Sequence, residues 1–393
     1  MANANPSQTA ADLVRDRIAA SPRGRLPWAE VMRLALYEPG VGYYRRGVRR
    51  IGRGGDFYTS VSAGPLFGRL LAGFAQQVWE ATGRPRSFSV IEQGAHDGTL
   101  AADILTACRT LDPAFSAAVG YVIIEPDPLL RHAQEAALRD QPRVSWLPDW
   151  GSLPPTPAAL FLCNELLDAF SVHRVRWDGK RWMELWVGQQ EGATPGALAW
   201  VEDVSSDPRL AGEVSLLSKS YPSGYTTDIC LEVQPWLSEV AAAPFSGAIL
   251  VLDYGFPAVE YFAPERSEGT LRRYYRHRMD DDVLDNLGDA DLTADVNFTA
   301  LAEHATDAGM KVAGFIEQGR FLTKLLAADF ARNPAPMDAA TRRQFHTLTH
   351  PSLMGRSFHG LLLTRGLAAD ALATAEERDA ALRRLGLGPG LDI

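Results

Sequence analysis

The stretch Ser87–Leu105, SFSVIEQGAHDGTLAADIL, decides how the fold of this chain is interpreted. Its short apolar run Ser87–Ile91 is rich in β-prone residues and leads into an acid, Glu92. A turn bounded by Gly94 and Gly98 follows, and apolar residues then recur with helical spacing. The stretch predicts a strand, a tight glycine turn and a helix whose N-terminal amides face a ligand.

The acid before the turn discriminates between classes of ligand. A dinucleotide-binding turn has a glycine in the middle of the pattern, and this chain has His96 there. A carboxylate at Glu92 does nothing for a pyrophosphate, whereas it can pair with an ammonium group. The turn therefore favours a ligand that carries an amino-acid group, although an ordinary strand-to-helix turn of an α/β domain fits the string equally well.

Beyond this stretch, short apolar runs alternate with helical patterns. The alternation predicts an α/β fold whose parallel sheet is covered by helices on both faces. The ligand site of such a sheet lies outside the carboxyl ends of its strands. Acids stand at four of those predicted ends, and we interpret them as one site: Glu92, Glu125, Glu165 and Asp253.

The order of the elements predicts four segments. Residues 1–84 form an N-terminal helical cap with an aromatic, glycine-rich loop, and residues 85–170 form the ligand-binding core. Residues 171–246 form an insertion that contains β-strands. Residues 247–393 complete the core sheet and add helices.

Composition excludes several classes of partner. The chain of 393 residues has a formal charge of −9, which argues against binding nucleic acid or an anionic membrane. No apolar run reaches membrane-spanning length, so we expect no membrane insertion. Its three cysteines form no CxxC pair, and together with a polar N-terminus they predict a cytoplasmic protein. No metal site is expected, because the pair His346 and His350 lacks a following glutamate.

Glu125 follows the second predicted strand, where a ribose-binding acid stands in nucleotide-binding sheets. This placement serves NAD and S-adenosylmethionine alike, and Glu92 together with the missing middle glycine favours S-adenosylmethionine. Asp149 follows the third strand and could flank an adenine ring, or it could be an acid on an exposed loop. The irregular segment Glu38–Ser60 is predicted to fold over this edge, with Asp56 and Thr59 near the ligand.

The motif NELLDAF follows the fourth strand, on the side where a methyl acceptor would face the cofactor's sulfonium. Glu165 and Asp168 are spaced so that one helical turn would place both on one face, beside Asn164. The alternative is structural: Asn164 would cap the next helix and Asp168 would be solvated.

A set of motifs follows in order between about Trp28 and Arg365, which are LYEPGVGYY, IGRGGDFYTS, LFG, the glycine turn, NELLDAF, LDYGF, TLRRYYRH, DLTADVNFTAL, QGRFL and MGRSFHGLLL. In these ordered motifs the chain resembles the MidA-type methyltransferases, a family that includes a mitochondrial complex I assembly methyltransferase. The chain departs from the family's usual Gly-Pro-Gly at the turn, where it has Gly-Ala-His, and it has Ser171 where the family usually has proline.

This resemblance implies a Rossmann-like class I methyltransferase fold, S-adenosylmethionine as cofactor, and a protein substrate such as a respiratory-complex subunit. We predict N-methylation of an arginine in a partner protein. Two alternatives stay open: a non-catalytic assembly factor that binds S-adenosylmethionine, and an NAD-type oxidoreductase. The predicted cofactor-binding residues are Glu92, Gly94, Gly98, Glu125, Asp149, Asp56 and Thr59. The predicted catalytic residues are Glu165, Asp168 and Asn164.

Overall fold

A computed structural model of the chain describes residues 8–46, 59–189, 196–276, 278–332, 334 and 336–388. The chain divides into two compact units. The sheet unit comprises Tyr58–Leu166, Trp236–Ala258 and Val296–Ile393. The mixed unit comprises Met1–Phe57, Leu167–Pro235 and Val259–Asp295. The four-segment division expected from the sequence stays a prediction.

The strands of the described residues follow here in chain order. They are β1 (Arg25–Pro27), β2 (Phe88–Gln93), β3 (Val119–Ile124), β4 (Val144–Leu147), β5 (Thr156–Asn164), β6 (His173–Trp177), β7 (Trp182–Gln189), β8 (Leu198–Asp203), β9 (Thr226–Ile229), β10 (Phe245–Phe256), β11 (Arg272–Tyr275), β12 (Arg278–Asp280), β13 (Asp291–Thr293), β14 (Val296–Asn297), β15 (Lys311–Glu317) and β16 (Phe358–Arg365).

The α-helices of the described residues, in the same order, are α1 (Ala10–Ala20), α2 (Trp28–Tyr37), α3 (Leu66–Ala81), α4 (Thr99–Cys108), α5 (Pro113–Ala118), α6 (Pro128–Ala137), α7 (Pro208–Ser215), α8 (Val233–Ala242), α9 (Ala258–Tyr261), α10 (Phe298–Asp307), α11 (Gln318–Arg332), α12 (Ala339–Thr349) and α13 (Ala375–Arg384).

The sheet unit is built on one eight-stranded sheet in the order β15-β16-β10-β5-β2-β3-β4, with β14 beside β10. Strands β4, β3, β2, β5 and β10 are parallel, and β16 runs antiparallel to β10 and β15. The chain winds outward from β2 through β3 to one edge and from β5 to the other. The order therefore reverses between β2 and β5, where sheets of this kind bind their ligands. This architecture confirms the predicted Rossmann-like fold.

The central strands form because their sequences are almost continuously apolar, as buried parallel strands require. Leu160 of β5 and Leu250 of β10 are both buried in the core under α3 and α4. Helix α3 contributes Phe74, whose ring meets Phe321 of α11 edge-on at 5.4 Å between centroids. Helices thus cover this face of the sheet and leave the carboxyl ends of the strands to carry polar side chains.

The mixed unit has its own five-stranded sheet in the order β1-β7-β6-β9, with β8 on β7. Strands β6 and β7 pair antiparallel as a hairpin, and the Asp178 carboxylate at its turn accepts the backbone N–H groups of Lys180 and Arg181. Helix α7 begins at Pro208, and the Asp207 carboxylate caps it by accepting the N–H of Arg209.

Two classes of feature are absent from the part of the chain that the structure describes. No helix there combines the length and the apolar character needed to cross a membrane. No group of three or more His, Cys, Asp or Glu side chains there could hold a metal ion.

Candidate active site

The turn after β2 is built from left-handed residues. Gly94 and Gly98 each have φ of +83°, and His96 between them has φ of +46°. The Gly98 N–H donates to the carbonyl of Ala95 at 2.8 Å, which closes the turn. A Cβ at Gly94 would lie 3.2 Å from a methyl of Leu166, so a side chain there would press on the segment that follows β5. The turn therefore exposes backbone at the position where the strand order reverses, between β2 and β5.

Glu92 is the penultimate residue of β2 and is almost fully buried. The Tyr121 hydroxyl donates to its carboxylate over 2.8 Å. Burial raises the pKa of Glu92 to about 7, against the lowering effect of that hydrogen bond. A buried carboxyl of this kind gains most from a cationic partner, because such a partner compensates the desolvation of its charge.

Glu125 follows β3 directly and is 7% exposed. One carboxylate oxygen accepts the backbone N–H of Asp127 at 2.8 Å, and the other accepts the side-chain amide of Gln134 at 2.9 Å. These two bonds fix the plane of the carboxylate. Carboxylate oxygens are acceptors, which is what the hydroxyl groups of a ribose require.

Asp149 lies after β4, and its side chain is exposed. Its Oδ1 accepts both the N–H and the hydroxyl of Ser152 at 2.9 Å, so it caps a short 3-10 helix, Trp150–Ser152. Trp150 itself is a core residue that meets Phe161 edge-on at 4.6 Å between ring centroids. The expectation that Asp149 flanks an adenine ring stays a prediction.

The segment after β5 is not the helical turn that the spacing of Glu165 and Asp168 predicts. Glu165 has φ of +51°, and its N–H donates to the carbonyl of Leu252 at 2.9 Å. The next N–H, of Leu166, donates to the carboxylate of Asp253 at 3.2 Å. These bonds turn the chain through a left-handed residue, and a 3-10 turn begins only at Leu167. The expectation of one helical face for the two acids is therefore wrong.

The Glu165 carboxylate is held by its neighbours. Its Oε1 accepts the Asn164 side-chain amide at 3.0 Å and the Ser60 N–H at 3.2 Å. Asn164 therefore does not act as a helix cap, and its Oδ1 is buried with no partner among the described residues. Thr59 precedes Ser60 and bonds the hydroxyl of Ser62 at 2.9 Å. This places Thr59 next in the chain to a residue that contacts Glu165.

Asp168 belongs to the mixed unit, whereas Asn164 and Glu165 belong to the sheet unit. Asp168 is 6% exposed, so the alternative that it is solvated is wrong. Its carbonyl accepts the N–H of Ala294 at 2.9 Å. Burial raises the pKa of Tyr44 in the same unit, and the charge of Asp168 adds to that effect. Asp56 lies outside the described residues.

Residues 70–316 match the sequence profile of the family described as "Putative S-adenosyl-L-methionine-dependent methyltransferase". The chain belongs to this family. A crystal structure of a Burkholderia thailandensis protein bound to S-adenosylhomocysteine is similar to the whole methyltransferase, with a TM-score of 0.81 and 30% identity over 92% of this chain and 94% of that one.

Curated relatives cover most of the methyltransferase as well. The mitochondrial protein arginine methyltransferase NDUFAF7 homolog of Drosophila melanogaster is 29% identical over 88% of this chain and 83% of its own length. The mitochondrial protein arginine methyltransferase NDUFAF7 of Danio rerio is 29% identical over 85% and 82%. Because these relatives are named as mitochondrial, the expectation of a cytoplasmic location is wrong.

These comparisons and the site agree on the cofactor. The methyltransferase uses S-adenosylmethionine, and the NAD-type oxidoreductase is set aside. The residues present fit this cofactor: a turn that exposes backbone, a buried carboxyl at Glu92 for an ammonium, and an oriented carboxylate at Glu125 for ribose hydroxyls.

Three polar residues around the site were missed at the level of sequence. Gln134 of α6 bonds Glu125, Ser60 bonds Glu165, and Gln318 of α11 accepts the Ser60 hydroxyl at 3.2 Å. All three are fully buried. Their signal in the sequence is weak, because a single polar residue in a helix usually faces solvent.

Proposed function

We propose that this methyltransferase transfers the methyl group of S-adenosylmethionine to a nitrogen of an arginine in a partner protein. The observation that carries the proposal is the position of the Glu165 carboxylate. Glu165 itself has a left-handed backbone conformation, directly after the carboxyl end of β5. The residue after it packs on the glycine turn, since Leu166 lies against Gly94. Strained residues of this kind persist where function requires them. The names of the curated relatives support the same acceptor.

On the cofactor side, Glu92 would pair with the ammonium of the methionine part and Glu125 would accept the ribose hydroxyls. Gly94 and Gly98 would let the ligand approach backbone. Asp149, which follows β4, would lie toward the adenine end. Thr59 would lie toward the methyl-transfer side, because its neighbour Ser60 contacts Glu165. Asp56 stays a prediction from its sequence motif.

On the acceptor side, Glu165 would hold the incoming guanidinium by charge-assisted hydrogen bonds. Asn164 would keep that carboxylate in place, and Asp168 stays a catalytic residue predicted from its sequence motif. When bound, S-adenosylmethionine supplies an electrophilic methyl group. The acceptor nitrogen would form the new N–C bond with its lone pair, the S–C electrons would stay on sulfur, and the released proton would pass to water or to a carboxylate beside the nitrogen. The protein's part in such a displacement is mainly to position the acceptor.

Cofactor affinity is expected to depend on pH through Glu92. Because the pKa of this carboxyl is raised to about 7, it is mostly neutral at low pH and becomes charged as the pH rises through neutrality. Pairing with an ammonium needs the charged form, so affinity for S-adenosylhomocysteine should rise about tenfold from pH 6 to pH 7.5. The gain should stop near pH 8, where an α-amino group loses its own proton. Calorimetry across this range measures the effect.

The matched variant Glu92→Gln keeps the shape of the side chain and removes its titration. Its affinity should be lower at pH 7.5 and should not rise between pH 6 and pH 7.5. An equal rise in the wild type and in this variant would assign the pH dependence to another group and remove Glu92 from the ammonium site.

The arginine acceptor is tested by the proteins that the enzyme modifies. Mass spectrometry of methylarginines should show at least one site that is lost in a deletion strain and restored by the wild-type gene. We propose a respiratory-complex subunit as the partner, and purified complexes are therefore the first fraction to examine. If the strain loses no methylarginine although the protein binds S-adenosylhomocysteine, the non-catalytic assembly factor replaces this proposal. His96 in the glycine turn is the feature that favours that alternative.

A further inference from the structure

Gln134 is a fully buried side chain of α6 with a complete set of hydrogen-bonding partners. Its amide nitrogen donates to a carboxylate oxygen of Glu125 at 2.9 Å and to the carbonyl of His96 at 3.0 Å. Its amide oxygen accepts the indole N–H of Trp146 in β4 at 3.1 Å. An indole N–H can only donate, so the atom facing Trp146 must be the oxygen and the orientation of the amide is fixed.

This amide joins parts of the site that would touch different parts of the cofactor. Glu125 is the ribose acid, and His96 is the left-handed residue at the centre of the glycine turn. An apolar residue at this buried position would pack at least as well as Gln134. The hydrogen bonds of a buried amide only compensate the cost of removing that amide from water. The conformation of the turn and the plane of the Glu125 carboxylate are thus connected through one side chain.

We propose that Gln134 is a positioning residue that orients Glu125 toward the ribose hydroxyls and fixes the turn beside it. The inference rests on the placement of S-adenosylmethionine given above. Without the amide, one oxygen of Glu125 loses a donor and the carboxylate can rotate away from the plane in which it meets the ribose. Much of the affinity that comes from the ribose hydroxyls should then be lost, because a flexible carboxylate must be ordered during binding.

The decisive variant is Gln134→Met, which keeps the length of the side chain and removes its hydrogen bonds. Calorimetry compares S-adenosylhomocysteine with its 2′-deoxy counterpart on each protein. In the wild type, removal of the hydroxyl should weaken binding about tenfold or more. In Gln134→Met, S-adenosylhomocysteine should bind about tenfold more weakly than to the wild type, and the two ligands should bind almost equally.

The matched control is Gln76→Met. Gln76 is also a buried glutamine of a helix, and it bonds Glu80 at 3.0 Å and the N–H of Asp112 at 3.3 Å, away from the turn. This variant should lose thermal stability and keep the wild-type ratio of the two affinities. If Gln134→Met does not fold, Gln134→Leu removes the same hydrogen bonds with a smaller side chain, and the same loss of ribose discrimination is expected.

The outcomes distinguish a failure of the role proposed for Gln134 from a failure of the cofactor placement at Glu125. If the Gln134 variants bind both ligands more weakly but in the wild-type ratio, Gln134 is only structural and the inference is overturned. If the wild type itself does not distinguish the two ligands, Glu125 is not the ribose acid, and the cofactor placement fails together with the inference.

Discussion

Replacement of Gly98 by valine is expected to lower the affinity for S-adenosylhomocysteine at least about a hundredfold while the protein stays folded. Gly98 has φ of +83°, a conformation that a β-branched residue adopts only with strain. Its Cβ would be in van der Waals contact with a methyl of Leu138 at 3.4 Å and with the Cα of Gln134 at 3.5 Å, so the two methyl groups of valine must find room beyond that contact. The variant can relieve both problems only by moving the glycine turn, and a moved turn no longer presents its amides to the ligand. Calorimetry gives the affinity, and circular dichroism checks the fold.

The control for this variant is Gly83→Val. Gly83 follows α3 in the same unit with φ of +88°, and a Cβ there would meet nothing within 4 Å. It therefore reproduces the backbone strain without touching the turn. Gly83→Val should lose stability and keep the affinity of the wild type. Undiminished affinity in Gly98→Val would show that the ligand does not bind at this turn.

The strands of the sheet unit could be predicted from the sequence because burial by distant elements requires a continuous apolar run in each strand. A strand covered on both faces must be apolar along its buried length, and β5 and β10 are apolar over Ala158–Cys163 and Ala248–Leu252. The position of Glu125 followed in the same way, since the carboxyl end of a predicted strand marks the edge of the sheet.

The local geometry after β5 could not be predicted, because it depends on tertiary hydrogen bonds. Helical spacing of Glu165 and Asp168 suggested one turn of helix. The N–H of Glu165 instead bonds Leu252 of the neighbouring strand, and the next N–H bonds Asp253. These partners are far away in the sequence, and they impose a left-handed residue that propensity disfavours. Spacing alone carries no information about such partners.

Gln134 illustrates a second limit of the sequence. The helix α6 reads PLLRHAQEAA, and in this string the leucines are the expected core residues. The structure buries Gln134 instead and leaves Leu129 57% exposed. This reversal of the expected burial is stable because Gln134 forms hydrogen bonds with groups on three other elements. Only the folded chain brings those groups together.

Substitution of Glu165 by glutamine is expected to leave cofactor binding near the wild-type value and to remove most of the methyl transfer. Glu165 is half-buried, and a guanidinium that enters there would leave water and complete its burial. Loss of a partner in such a buried pair costs about 3–5 kcal/mol, or roughly a hundredfold or more in rate. The amide keeps an oxygen that can accept from Asn164 and Ser60, so the local structure should persist. A radiolabel transfer assay with matched cofactor titrations measures both properties.

The control is Glu317→Gln at the end of β15, a carboxylate that pairs with Arg384 at 3.4 Å and with Arg320 at 3.6 Å. It makes the same chemical change in the same unit, at surface ion pairs that contribute little to stability. Transfer by this variant should match the wild type. Because Gly98→Val removes binding and Glu165→Gln should remove turnover alone, the two variants separate the cofactor side of the site from the acceptor side. Full transfer by Glu165→Gln would deprive the arginine proposal of its main residue, since a neutral amide cannot replace the charge that a guanidinium requires.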